Sequence, residues 1–233
     1  MNDFFRFPHT PHIAWLGADS PRDDKVLTPA EIEALLAGPV TLEEKLDGAN
    51  LGISVGENGE VRAQNRGHYL ERPFPGQFEK LEMWLRRYED VLFDALGENL
   101  ILFGEWCAAR HSLDYTGLPG WFVGFDVYDR QREAFWSTRR RNALLAQLEL
   151  PAIRCIGEGQ YTLEQLKELV MHSGSQYRDG VLEGIVIRHQ DEDWLLNRAK
   201  LVRHDFTQAI QEHWRKRRIE WNDLAGGYGG PQG

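Results

Sequence analysis

Between Val40 and Gln64 three short apolar runs follow one another, broken only by turn-forming residues. Val40–Lys45, Ala49–Val55 and Glu60–Gln64 read as strands, and Glu57-Asn58-Gly59 supplies a hairpin turn between the second and the third. Asn99–Trp106 and Trp121–Asp129 continue the pattern, and Val181–Arg188 with Asp193–Leu201 reads as a strand pair. Helices are interspersed. Thr28-Pro29-Ala30-Glu31 is a helix start, with Thr as N-cap, Pro at the first helical position and Glu three residues after the cap. Residues 76–96 place Phe78, Leu81, Leu85, Tyr88 and Leu92 at helical spacing. Arg139–Leu148, Leu163–Ser173 (capped by Thr162) and Asp205–Arg218 read as further helices. Strands that pair largely with their sequence neighbours give antiparallel sheets flanked by helices, an α+β fold rather than a doubly wound parallel sheet.

One domain is expected over residues 1–225. Residues 1–27 form an irregular lead-in, residues 204–225 a C-terminal helical segment, and 226–233 a flexible glycine-rich tail. No apolar run reaches the roughly 18 residues that cross a bilayer, so no membrane partner is expected. The N-terminus shows no basic segment followed by an apolar stretch, hence no signal peptide. The two cysteines, Cys107 and Cys155, make neither a disulfide framework nor a metal-site spacing. They fit a reducing, cytoplasmic setting. The formal net charge of −9 argues against nucleic-acid binding through global charge. Local patches remain: Arg139-Arg140-Arg141, and the run Arg215-Lys216-Arg217-Arg218, each either a nucleic-acid contact or a solvated helix face.

The chemistry centres on Glu44-Lys45-Leu46-Asp47-Gly48-Ala49-Asn50. Lys45 ends a strand, and Gly48 permits a tight turn and close backbone approach to a ligand. A lysine is a nucleophile only when deprotonated, which burial or a nearby cation favours. Alone, this turn is equally what a hairpin looks like. Other charged strand segments occur along the chain. Phe103-Gly104-Glu105-Trp106 ends a strand with an acid. Phe122–Tyr128 is aromatic with an acid inside it. Glu183-Gly184-Ile185-Val186-Ile187-Arg188 opens with an acid and closes with a cation. Arg198-Ala199-Lys200 sets two cations on one strand face.

As an ordered set these segments resemble the motifs of the covalent nucleotidyltransferases, the polynucleotide ligases and mRNA capping enzymes, over about residues 40–203. The resemblance implies a nucleotidyltransferase (ATP-grasp-like) domain. It makes Lys45 the nucleotide acceptor, with Lys200 a second catalytic cation. Arg66, in Asn65-Arg66-Gly67, is similar to the arginine that contacts ribose or phosphates. Glu105 matches the ribose-binding acid, Phe125 the aromatic stacked on the purine, and Glu183 the metal-binding acid. Arg198 and Lys200 match the phosphate-binding cations, and Glu44 falls within the nucleotide site. Asp47 is a further candidate catalytic residue, with two roles open, metal binding or shaping of the turn. Asn50 stands where DNA ligases and capping enzymes usually carry arginine. It is similar to the phage type-2 RNA ligases and the trypanosome editing ligases, and it is the candidate nucleic-acid contact. Those ligases often have His at the place of Asp47 and Lys at the place of Arg198. Arg198 keeps the charge, but arginine does not readily lose a proton.

The implied activity is ATP-dependent joining of RNA 5′-phosphate and 3′-hydroxyl ends through a lysyl-AMP intermediate. ATP and Mg²⁺ or Mn²⁺ are the implied cofactors. RNA ends, in a nicked duplex or single-stranded, are the implied partners, with a separate end-healing kinase or phosphatase by family analogy. DNA ligases and capping guanylyltransferases usually add an OB-fold domain. Only about 30 residues follow Lys200, too few for that fold, so no OB-fold domain is expected. The rival readings are a DNA ligase or other nucleotidyltransferase, and a non-catalytic nucleic-acid-binding relative.

Overall fold

The structure, a computed structural model, describes residues 4–17, 25–209 and 219–225. The cluster Arg215–Arg218 and the glycine-rich tail lie outside them. Nine strands form two antiparallel sheets among the described residues. Their ranges are β1 Val40–Glu44, β2 Ala49–Val55, β3 Val61–Gln64, β4 Leu100–Trp106, β5 Phe122–Asp129, β6 Ala134–Phe135, β7 Cys155–Gly159, β8 Gly184–Gln190 and β9 Leu195–Val202. The first sheet runs β7-β1-β8-β9 and the second β3-β2-β4-β5-β6. The α+β expectation therefore holds. Among the described residues no helix is long and apolar enough to cross a membrane.

Neighbour pairing holds for β2–β3, β4–β5, β5–β6 and β8–β9. It fails at the first turn. β1 pairs with the distant β7 and β8, while β2 joins the other sheet. Leu46-Asp47-Gly48 is thus a crossing between sheets, not a hairpin. The chain's own signal could not distinguish the two, because a tight Asp-Gly turn serves both. β6 and β7 also escaped the sequence reading. β6 has only two residues, and Cys155-Ile156-Gly157-Glu158-Gly159 contains two glycines, which strands disfavour.

Helix α1 (Pro29–Leu36) starts as the sequence dictates: Thr28 and Glu31 form a reciprocal capping box. Helix α2 (Leu81–Leu96) begins later than the periodicity suggests, because Gly76–Phe78 forms a separate 3-10 turn. Its apolar face, with Leu81, Trp84, Leu85, Leu92 and Leu96, packs on the second sheet in one core with Leu51, Ile53, Trp106 and Phe122. α3 (Thr138–Gln147) adds Leu144 and Leu145 to that core. A second core joins α1 and α4 (Leu163–His172) to Leu42, Ile185, Ile187, Ala199 and Leu201 of the first sheet. Strand alternation then sends the intervening residues to the opposite face. Those residues include Glu43, Val186, Arg188, Arg198 and Lys200, which line the cleft between the sheets.

A buried ion network ties the sheets together. Arg141 of α3 donates to both oxygens of Glu43 at 3.1 and 2.6 Å. Arg188 of β8 stands 3.6 Å from Glu43 and 2.7 Å from Asp126 of β5. Arg198 of β9 completes the chain on the other oxygen of Asp126. All five side chains are buried. The arginine run at 139–141 is therefore not a free basic patch. Arg141 lies in the interior, Arg139 pairs with Asp193 at 2.9 Å, and Arg140 lies between the rings of Trp136 and Trp194.

The N-terminal lead-in and the C-terminal segment both pack on this body. Lys200 N–H donates to Pro11 O at 2.8 Å and Ile13 N–H to Lys200 O at 2.9 Å, so the lead-in lies along β9. Of the expected last helix, α5 (His204–Ala209) is described. Residues 219–225, expected to be helical, instead form an extended strap paired with Ala109 and Leu118. Trp221 and Leu224 both pack against the core, and the bridges to Ala109 and Leu118 hold the strap there.

Removing one partner of a buried ion pair strands the other charge. Arg141→Ala should therefore cost about 3–5 kcal/mol of stability. Arg139→Ala, at the surface, should cost no more than about 1 kcal/mol. Urea unfolding midpoints check the contrast; equal losses would show that the network does not join the sheets.

Candidate active site

The two sheets enclose a cleft of about 490 Å³. Lys45 enters it because β1 ends there: Lys45 N–H still pairs with Gly184 O at 2.9 Å, and its side chain then turns inward. Lys45 Nζ lies 2.7 and 2.9 Å from the two oxygens of Glu183 and also donates to Leu46 O at 3.3 Å. Glu183 sits just before β8, buried at 4% exposure. Burial alone would lower the lysine pKa. The carboxylates of Glu183, Glu105 and Asp47 outweigh it and hold the ammonium form. Burial pushes both Glu183 and Glu105 up to about 7, against the pull of Lys45. The resting site thus holds Lys45 as a charged, ion-paired amine, not the neutral nucleophile that burial by itself favours.

The turn that follows is held rigidly. Gly48 N–H donates to Glu105 Oε1 at 2.9 Å. Asp47 N–H donates to the Tyr115 hydroxyl at 2.7 Å. Asp47 Oδ2 accepts from the backbone N–H groups of Ser112 and Leu113 at 2.8 and 3.2 Å. These contacts pin the turn through the Asp47 backbone and one of its carboxylate oxygens. A side chain at position 48 would meet Trp106 O at 2.6 Å and Glu105 Cγ at 3.0 Å. Only glycine lets the crossing pass that close to β4.

The remaining candidates divide by strand face. Arg66, Glu105, Phe125, Arg198 and Lys200 all line the cleft with Lys45, and so does Asn50. Asn50 Oδ1 is buried without a hydrogen-bond partner among the described residues, an acceptor facing a shortage of donors. Arg198 reaches the cleft, yet its guanidinium is bound to Asp126 and packed between Phe7 and Phe135, with its carbon 4.5 and 4.4 Å from their ring centroids. Glu44 borders the cleft, but its carboxylate is taken by the Ser175 hydroxyl and by Gln176 N–H at 2.8 Å. It follows Glu43 on the strand, so it points to the opposite face. Burial raises its pKa, partly offset by Ser175.

Sequence reasoning missed several lining residues. Phe7 and Thr10 come from the lead-in, and Gln77 and Phe78 from the 3-10 turn. Phe7 and Thr10 lie outside any periodic segment, and the helical spacing of residues 76–96 marked Phe78 as an apolar packing position, not as a cleft residue. Glu43, Asp126 and Arg188 also line the cleft. The acid and cation in their strands were visible; their mutual pairing was not.

No group of three or more His, Cys, Asp or Glu side chains among the described residues makes a metal cage. Glu183 offers a buried carboxylate paired with the Lys45 ammonium. That fits a hard cation held by one carboxylate together with substrate phosphates, the manner in which Mg²⁺ is commonly bound.

A lysine held by a glutamate between two antiparallel sheets, within reach of further cations and acids, defines a nucleotidyltransferase-type cleft. The chain belongs to the RNA ligase family, whose model matches residues 38–202. Among solved structures it is similar to a Naegleria gruberi RNA ligase with PPi, at 19% identity and a TM-score of 0.62, covering 79% of this chain and 55% of that one. A variant of that ligase with ATP and Mn matches at 18% identity and a TM-score of 0.60, over 79% of this chain and 54% of that one. A putative ATP-dependent DNA ligase from Aquifex aeolicus matches at 20% identity and 0.55, over 86% and 50%. The chain spans about half the length of these ligases. No curated protein sequence matches it.

Gly48→Ala forces backbone and β4 apart, and overpacking of this kind costs about 1–3 kcal/mol. Chemical denaturation should register that loss; unchanged stability would mean that the turn has room for a methyl group.

Proposed function

We propose that the protein is an ATP-dependent RNA ligase that forms a covalent lysyl-AMP intermediate on Lys45. The observation that carries this reading is Lys45 itself, at the crossing of the two sheets, facing Glu183 in a cleft shared with Arg66, Glu105, Phe125, Arg198 and Lys200. The RNA ligase family match and the N. gruberi ligase solved with ATP and Mn support it.

In the first step the neutral Lys45 Nζ attacks the α-phosphorus of ATP. A P–N bond forms as the bond to the bridging oxygen breaks, pyrophosphate leaves, and the nitrogen gives up one proton to solvent. A 5′-phosphate of an RNA end then displaces the lysine and takes the AMP. A 3′-hydroxyl attacks that activated end, loses its proton and expels AMP, closing the phosphodiester. Each step is a displacement at phosphorus, so placement and charge neutralisation dominate. Lys200 neutralises phosphate charge from β9. Arg198 contributes more through the excess positive charge of its network, three guanidiniums against two carboxylates, than through a free fork. Glu105 accepts from the ribose, and Phe125 covers the purine. Asn50 is the nucleic-acid contact. Glu183 is the residue that holds Mg²⁺ or Mn²⁺, which when bound neutralises phosphate charge. RNA ends are the substrate, in a nicked duplex or free, and a separate kinase or phosphatase prepares them.

Incubation with α-labelled ATP and Mg²⁺, followed by denaturing electrophoresis, should show labelled protein. Lys45→Ala and Lys45→Arg should both lose the label, arginine because it stays charged. Label surviving Lys45→Ala would refute the assignment. Nicked RNA and nicked DNA offered side by side separate an RNA ligase from a DNA ligase.

Attack needs Lys45 without its proton, and Glu183 ionised to hold the cation. Both groups are shifted upward, so both protons come off later than in free side chains. Adenylation should therefore rise steadily between about pH 6 and about pH 9. A rate that is flat across this range would mean that neither proton is lost before the slow step.

A further inference from the structure

We infer that Asn222, on the C-terminal strap, is a positioning residue for Lys45, acting through Tyr115 and Asp47. This rests on the ligase reading above. The strap lies far from the cleft in sequence, yet one buried side chain links the two. Asn222 is 6% exposed. Its Oδ1 accepts from Tyr115 N–H at 3.0 Å, and its Nδ2 donates to Cys107 O at 2.9 Å and Ala109 O at 3.4 Å. Its own N–H donates to Ala108 O at 2.9 Å. All these groups belong to the segment 107–118 that follows β4.

That segment returns the contacts to the crossing turn. Tyr115, whose backbone is held by Asn222, accepts from Asp47 N–H on its hydroxyl. Ser112 and Leu113 donate to the Asp47 carboxylate. Asp47 lies two residues after Lys45, so the lysine's approach angle depends on where this turn is pinned. The segment itself contains no regular strand or helix to fix it. Asn222 supplies, with side-chain bonds, what a sheet ladder supplies elsewhere.

The strap is anchored independently of Asn222. Lys80 Nζ lies 4.4 Å from the Trp121 ring centroid and 4.6 Å from that of Trp221. Arg110 N–H donates to Glu220 O and Ala225 N–H to Leu118 O, each at 2.8 Å. Losing the Asn222 amide should therefore loosen the loop without releasing the strap. The groups assigned to base and ribose, Phe125 and Glu105, have their backbones fixed in β5 and β4, and Glu105 meets the turn through Gly48 N–H.

The test measures AMP attachment to Lys45 in single turnover, over a range of ATP, with Asn222→Ala, Tyr115→Phe and the double variant in the full chain. Each single variant should slow attachment at saturating ATP by about 10–100-fold, the scale of a misplaced nucleophile. Half-saturating ATP should stay within about twofold, and the double variant should be no more than about threefold slower than the slower single one, since both act on one path. Tyr115→Phe removes a single hydroxyl, so it reads the same link if Asn222→Ala does not fold. Rates at saturating ATP unchanged in Tyr115→Phe would overturn the inference. So would losses confined to half-saturating ATP or to melting temperature, or single-variant losses that simply multiply. An unaltered chain that takes no label overturns the ligase reading as well, which separates the two failures.

Discussion

The buried chain of charges from Arg141 through Glu43, Arg188 and Asp126 to Arg198 is the constraint on which the rest depends. It draws on α3, on β1, β8 and β9 of one sheet and on β5 of the other. Each sheet already has its own apolar core on its outer face. On the inner side, the second sheet carries an apolar cluster of Phe7, Ile101, Phe103 and Tyr128, and beside it the two sheets meet through charged residues that must be paired once water is excluded. Pairing was the solution. Its cost in desolvation is high, and a hydrophobic seam of equal volume could be as stable. Such a seam, however, would fill the cleft with apolar side chains. The ionic one leaves a cavity lined by charged and apolar side chains together.

The site uses the same logic on a smaller scale. Lys45 and Glu183 neutralise each other at rest, so neither stands as an isolated buried charge. Under the proposed chemistry this pairing is also a restraint. The amine stays protonated until substrate phosphates and a cation give Glu183 another partner. Glu105 is the third member of this cluster; its bond to Gly48 N–H ties the carboxylate position to the backbone of the turn.

Much of the outline was legible along the chain. The Thr28 capping box and the β2–β3 hairpin are local, and local rules describe them. Because alternation sets side-chain direction, the shared face of Arg198 and Lys200 was readable before any coordinates. The pairing of β1 with β7 and β8 was not. It joins residues more than a hundred positions apart, and no short-range signal chooses between a hairpin and a sheet crossing at Asp47-Gly48. Glu43 and Glu44 show the same limit. They are adjacent and identical in type, yet one enters the ion network and the other binds Ser175 and Gln176.

By itself, then, the order of residues determined most of the strands and helices and which of their faces are apolar, because those depend on neighbours within a few positions; the two-residue β6, the glycine-containing β7 and the extended strap escaped it. Only tertiary structure decided that Lys45 meets Glu183, that Arg198 is bound to Asp126 and that the strap at 219–225 reaches the loop behind Asp47. Those contacts arise where distant strands converge, and a charge is committed to a partner only when the fold removes the water that would otherwise solvate both.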